Sequence, residues 1–208
     1  MGKARAPTPE PENDENHPEP PLTPPAPDTI GGHLMISGSV LWAIPFSSLE
    51  NDVDQTDFMS AGPGFGLEAA YGVSRSVALG LWGQALLLDE SDDCSTCSTR
   101  SLALGAFVRY HLVQGVRFDP WMSAGLGYRT TTIDPGQTGV DEITYSGIEW
   151  VRLSVGGDWY AFKNFGFGPY FELDMGRYIS RSPGELGGSA NHWHFITGAR
   201  VTFDAPGR

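Results

Sequence analysis

The sequence predicts an all-β chain: an eight-stranded antiparallel up-and-down transmembrane β-barrel, preceded by a disordered Pro/acid-rich N-terminal tail. Three observations lead to this fold class. Beyond Ile30, greasy and polar or small residues alternate with a period of two, the mark of a strand with two unlike faces. No run approaches the ~18 consecutive apolar residues of a membrane-crossing helix, so a closed sheet is the remaining way through lipid. The connections between the alternating segments are short and long in strict turn.

The elements follow in chain order. A length of 208 residues holds one barrel plus a tail. Residues 1–30 form the tail: nine prolines and six carboxylates in the first 29 positions leave too little apolar surface to fold. The tail is expected to act as a spacer, with a periplasmic partner as the alternative. It contains no apolar stretch of the kind a secretion signal has, so export requires a signal upstream of this start or one already removed.

The barrel is expected over residues 31–203, and 204–208 as a C-terminal extension. Its first strand spans about 34–46. In the second, Phe65, Leu67, Ala69, Tyr71 and Val73 alternate with Gly66, Glu68, Ala70 and Gly72. The third spans about 77–88. The fourth sets Leu102, Leu104, Ala106, Val108 and Tyr110 against Ala103, Gly105, Phe107, Arg109 and His111. The fifth spans about 120–131. In the sixth, Val151, Leu153, Val155 and Trp159 face away from Arg152, Ser154, Gly156 and Asp158. The seventh opposes Phe165, Phe167, Phe171, Leu173 and Met175 to Gly166, Gly168, Tyr170, Glu172 and Asp174; Pro169 within it costs a ladder hydrogen bond unless a bulge accepts it. The eighth opposes Trp193, Phe195, Ala199, Val201 and Phe203 to His194, Ile196, Gly198, Arg200 and Thr202.

The connections after strands two, four and six are short: Ser74–Ser76, the stretch around Gln114–Gly115, and Phe162–Asn164. Those after strands one, three, five and seven are long and polar, at 47–60, 89–99, 132–145 and 180–191. This segregation matches the periplasmic and extracellular ends of outer-membrane barrels. Aromatics gather at both ends, with Tyr71, Tyr110, Trp159, Phe165 and Phe203 near the short turns. Trp42, Phe65, Tyr128 and Trp193 gather near the long loops.

With the oily face outward, the lumen receives Glu68, Asp158, Glu172 and Asp174 opposite Arg109, Arg129, Arg152 and Arg200. Isolated charges in so narrow an interior are costly, so paired networks are expected, with Arg152 to Glu172 or Asp174 the preferred contact across neighbouring strands. Inward glycines such as Gly80, Gly105, Gly125, Gly156 and Gly168 make room for the arginines and for Trp82, Phe107 and Tyr170. The network reads as a plug; an ion gate is the alternative.

The formal net charge of −12 argues against a nucleic-acid partner. Cys94 and Cys97 suit a loop disulfide, or a redox or metal half-site. Carboxylates cluster at Glu50, Asp52, Asp54 and Asp57 and again at Asp89, Glu90, Asp92 and Asp93, without the spacing of a calcium loop. They are expected to form a solvated acidic surface, and no metal or cofactor is expected. Ser189, His192, His194 and Glu185 supply the residue types of a lipid hydrolase, with His194 expected inward and His192 outward, but show no nucleophile elbow.

The stretch Gly64–Val73 followed by Ser74–Leu81 resembles the hairpin of the small outer-membrane protein β-barrel domains, the group that includes outer membrane proteins A, W and X. The segment Gly198-Ala199-Arg200-Val201-Thr202-Phe203 is similar to the C-terminal insertion signal of that group, with Gly198, Val201 and Phe203 at the signal positions, although five residues follow it here. The resemblance covers roughly residues 33–203. It implies residence in the bacterial outer membrane, contact with outer-membrane lipid and lipopolysaccharide, and delivery by the barrel assembly machinery. It also implies a structural or surface-interaction role. A narrow pore for ions or small solutes, a lipid-modifying enzyme and a soluble lipocalin-like ligand-binding barrel are the alternatives.

Overall fold

A computed structural model describes residues 29–205 apart from 51, 52, 92, 93, 95, 114–116, 138, 140 and 189. Most of the proposed tail, the Gln114–Gly115 turn, Ser189 and the carboxylates Asp52, Asp92 and Asp93 therefore lie outside the described residues, as does the side chain of Glu50.

The strands are β1 (Leu34–Pro45), β2 (Ser48–Glu50), β3 (Val53–Asp54), β4 (Gly62–Gly72), β5 (Val77–Leu88), β6 (Ser98–His111), β7 (Phe118–Asp134), β8 (Ile143–Phe162), β9 (Phe165–Ser182) and β10 (Ala190–Ala205). β1 and β4–β10 close into one antiparallel barrel in which each strand pairs with its neighbour in sequence and β10 returns to β1. The small β2–β3 hairpin and a 3-10 turn, Gln55–Asp57, occupy the first long loop.

The alternation in the sequence becomes the two faces of this wall. Val40, Leu67, Leu81 and Leu104 are 69, 65, 67 and 68% exposed on the outside. Arg109, Arg129, Asp174 and Glu149 are fully buried inside. A soluble ligand-binding barrel packs the other way round, with its apolar face inward. The outward face carries aromatic rings at both ends, including Trp159, Phe165 and Phe203 near the turns and Trp42, Tyr128, Trp150 and Trp193 near the loops.

Several expectations are corrected. β7, β8 and β9 have 17, 20 and 18 residues, more than the ~9–11 a hydrocarbon crossing needs. Cross-strand pairs such as Thr130–Ser146 and Thr132–Thr144 extend them beyond the apolar band, where their hydroxyls bond at 3.2 Å in each case. The loops after them shrink accordingly to 135–142 and 183–189. β10 runs past Phe203 to Ala205, because Asp204 N–H donates to Asn164 O at 2.8 Å and the Asn164 amide donates back to Asp204 O at 2.8 Å. Ile30 belongs to the barrel and not to the tail: it is buried at the turn end, and its N–H donates to Arg75 O at 3.1 Å.

Pro169 needs no bulge. It pairs with Ala199 on β10, while on its β8 side the paired run stops at Gly156–Tyr170 and resumes in unchanged register at Trp159–Phe167.

Candidate functional site

The lumen is the chemically distinctive part of the molecule. Its charged side chains arrive from six strands because inward positions recur every second residue. Arg200 on β10 grips Asp158 on β8 with two parallel hydrogen bonds, Nε to Oδ1 at 2.9 Å and Nη2 to Oδ2 at 2.7 Å. Its third nitrogen, Nη1, donates to Glu68 on β4 at 3.0 Å. Glu68 also accepts from Arg109 at 2.6 Å and Arg152 at 3.4 Å. Arg152 lies 2.6 Å from Glu172 Oε2 and 4.0 Å from Asp174 Oδ1. The network continues through Gln84, which donates to Glu172 at 2.9 Å and accepts from Arg129 at 3.1 Å. Arg129 closes it on Glu149 at 2.7 Å and Asp174 at 2.8 Å.

The flat faces of three guanidinium groups rest on aromatic rings. Arg152 lies 4.3 Å over Trp82, while Arg109 and Arg200 lie 4.3 and 4.1 Å from the centre of Trp121. Edges on carboxylates and faces on rings suit a planar, delocalised cation withdrawn from water. The glycines make this possible. A Cβ at Gly105 or Gly127 would meet Trp82, and one at Gly156 would meet Trp121 and Tyr170.

All eight lumen charges expected from the sequence thus lie in one connected network, and three partners were missed. Glu149 is the instructive one. Simple alternation from Val151 places it outward, but a β-bulge between Glu149 and Val151 adds one residue, so Glu149 and Arg152 both face inward. The balance is therefore five acids to four arginines in this network, not four to four. Gln84 and Trp121 were legible by parity alone, but an amide and an indole announce no charge to be paired.

Space inside the network is small. A cavity of about 10 Å³ lies among Ser37, Glu68, Gln84, Arg152, Tyr170 and Arg200, room for a single water. The turn end holds two His–carboxylate contacts, His111–Asp119 at 2.6 Å and His33–Asp204 at 2.7 Å. The loop end is closed by an apolar layer that includes Met59, Leu88, Cys97, Ile133, Tyr145 and Tyr178. The first loop is fastened over it: Gln55 donates to Asn191 O at 3.2 Å and Ser91 to Asp57 O at 2.6 Å.

With the wall, the faces and the filled interior established, solved structures share the architecture. Neisserial surface protein A is 14% identical, with 83% of this chain and 98% of that one aligned and a TM-score of 0.56. Outer membrane protein OprG from Pseudomonas aeruginosa is 15% identical, over 84% of this chain and 97% of that one, with a TM-score of 0.55. This chain has the fold of the small eight-stranded outer-membrane barrels. No family model and no curated protein sequence matches it.

In this outer-membrane barrel fold the remaining sequence candidates separate. His192 was expected outward and is instead wholly buried inside with His194, because β10 alternates without interruption from Ala190 and residues two apart share a face. The His192 ring lies 4.6 Å from that of Tyr178, and its Nε2 is 3.9 Å from Glu149. Glu185 is exposed in the loop beyond the barrel rim, away from both histidines' buried setting. Cys94 and Cys97 form a disulfide, with Cys97 packed into the loop-end apolar layer. Among the described residues, no group of three or more His, Cys, Asp or Glu side chains is arranged to hold a metal ion. Gly198, Val201 and Phe203 lie on β10 at the seam with β1, paired to Leu41, Gly38 and Ile36.

Proposed function

We propose that the chain is a bacterial outer-membrane barrel with a non-enzymatic structural or surface-interaction role, whose lumen is a fixed polar plug. The observation carrying this reading is the connected ion network, among whose Glu68, Gln84, Arg152 and Arg200 side chains lies a cavity of only about 10 Å³. A charge left alone in that setting is expensive, so the pairs hold one another in place and fix strand register. The short turns face the periplasm and the acidic long loops face outside. Burial of His192 and His194 beneath the loop-end apolar layer supports a non-catalytic interior.

Planar-bilayer recording tests the plug. The wild-type barrel is expected to insert without stepwise conductance; openings that change size in Arg152→Ala would show a gate instead. The Gly198, Val201 and Phe203 positions are proposed to be read by the barrel assembly machinery at the closing seam. Phe203→Ala is expected to lower the folded fraction in cells several-fold while leaving refolding into detergent micelles intact. Equal folding in both settings would remove the signal assignment.

A further inference from the structure

The turn end of the barrel is basic at its surface. Each short turn carries one exposed cation: Arg75 between β4 and β5, Arg117 just before β7, and Lys163 between β8 and β9. Among the described residues, none of the three has a carboxylate partner. The two carboxylates nearby, Asp119 and Asp204, are wholly buried and held by His111 and His33. Every exposed carboxylate among the described residues lies at the other end of the barrel: Asp54, Asp89, Glu90, Asp141, Glu142 and Glu185. Three cations on a rim without surface acids repel one another and attract an anionic partner.

The chain itself brings such a partner to this end. Ile30 is fastened beside the first turn, its N–H donating to Arg75 O at 3.1 Å, and Gly32 N–H donates to Gly72 O at 2.8 Å. The tail therefore starts at the rim, whichever way the barrel faces. Its sequence holds Glu10, Glu12, Asp14, Glu15 and Glu19 within ten residues, against Lys3 and Arg5. Pro-rich chain spans ~3.1 Å per residue, so the stretch from Asp28 back to Glu10 can reach roughly 55 Å. Tilted strands ~4.8 Å apart make an eight-stranded ring of roughly 50 Å around. One acidic stretch can thus meet all three turns, and its tether holds it at an effective concentration on the order of millimolar.

A groove beside Arg117 matches the rest of the tail's chemistry. It has a volume of about 470 Å³ and is lined by Arg117, Trp159, Tyr160, Ala161 and Phe167. Grooves lined by aromatic rings receive proline-rich segments, whose extended form loses little freedom on docking. In Pro9-Glu10-Pro11-Glu12 and Glu19-Pro20-Pro21 prolines adjoin carboxylates, so a ring and a cation side by side can take one of each. We infer that the rim of short turns is a docking surface for the chain's own acidic stretch Glu10–Glu19. Arg75, Arg117 and Lys163 are its cations, and the groove at Trp159 is the seat for a proline. The tail is drawn across the turn end at low ionic strength and released by salt, unlike a spacer that only reaches away.

Lys3 and Lys163 are the only lysines of the chain, which makes zero-length carbodiimide coupling a selective probe. The full chain is treated in detergent micelles and the linked peptides are mapped by mass spectrometry. Amide links between Lys163 and carboxylates of Glu10–Glu19 are expected at ~10 mM salt, and several-fold fewer at ~1 M, as the Debye length falls from about 30 Å to about 3 Å. An exposed ion pair changes a docked population by up to about fivefold. Arg117→Gln is expected to lower the coupling yield about threefold, and Arg117→Gln with Arg75→Gln about tenfold, with Lys163 itself unchanged. Arg177→Gln, at the opposite loop end, is the control and is expected to couple like wild type.

Coupling in a mixture of isotope-labelled and unlabelled chains separates the occupants. Links confined to chains of one label are expected; links between labels would put a second copy on the rim and overturn the inference. An unchanged yield at high salt or in the double variant would overturn it too, as would no link to a Lys163 that an amine-acylating reagent still reaches. Loss of the link in bilayers containing phosphatidylglycerol would assign the rim to lipid phosphates instead, with the same result. Each variant is first shown to keep the folded, heat-modifiable gel band, so misfolding does not imitate lost docking. A wild-type chain recovered soluble without detergent would overturn the outer-membrane reading but leave the coupling result standing.

Discussion

At the scale of single residues, the molecule turns on how four buried arginines are satisfied. Arg152 shows the economy of the arrangement: one guanidinium reaches Glu68 and Glu172 by its edges and covers Trp82 with its face. Removing one member of a buried pair leaves the other charged and desolvated, at a cost of about 3–5 kcal/mol. Arg152→Ala is expected to lower unfolding free energy by about that amount, read as a shifted urea midpoint in lipid vesicles. Arg152→Met combined with Glu172→Gln removes both charges and is expected to lose less than the sum of the single changes. Strict additivity in that double-mutant cycle would contradict a coupled network.

At the scale of elements, alternation makes register the controlling quantity, since a one-residue slip exchanges lumen and lipid faces along a whole strand. The bulge in β8 is the exception that keeps the rule. Trp150 is the extra residue, and Glu149 and Arg152 on either side of it both reach the lumen. Deleting Trp150 joins Glu149 to Val151 and preserves inward, outward, inward order. This deletion variant is expected to fold with its gel mobility shift intact. Inserting one alanine between Ser154 and Val155 instead turns Asp158 toward lipid and breaks the Arg200 grip, and is expected to abolish the folded band. Loss of folding in the deletion, or survival of the insertion, would show that register is set elsewhere.

At the scale of the whole molecule, a continuous outward apolar band and a filled interior make opposite demands on solvent. The barrel is expected to require detergent or lipid to stay in solution, and to migrate differently on gels before and after boiling. Protease added to intact cells is expected to cut only the long loops, because the wall is a closed antiparallel ladder with no free edge strand and its short turns lie on the other side of the membrane. Cleavage at the short turns by external protease would reverse the orientation.

The sequence by itself determined the number of barrel strands, the outward direction of the oily side chains, the alternation of short turns with long loops, and eight members of the lumen network. All of these follow from a period of two and from punctuation by turn residues, which are local properties. The tertiary structure alone decided that Glu149 faces inward, that β7–β9 continue above the apolar band, and that Gln84 and Trp121 join the charged side chains into one network. Those outcomes depend on which residues stand opposite one another across strands and across the lumen, and no local pattern contains that information. A bulge shifts parity without changing composition, and hydroxyl-bearing residues pair in a ladder as readily as they form a loop. His192 is different in kind: its inward direction was already implied by its distance of two from His194.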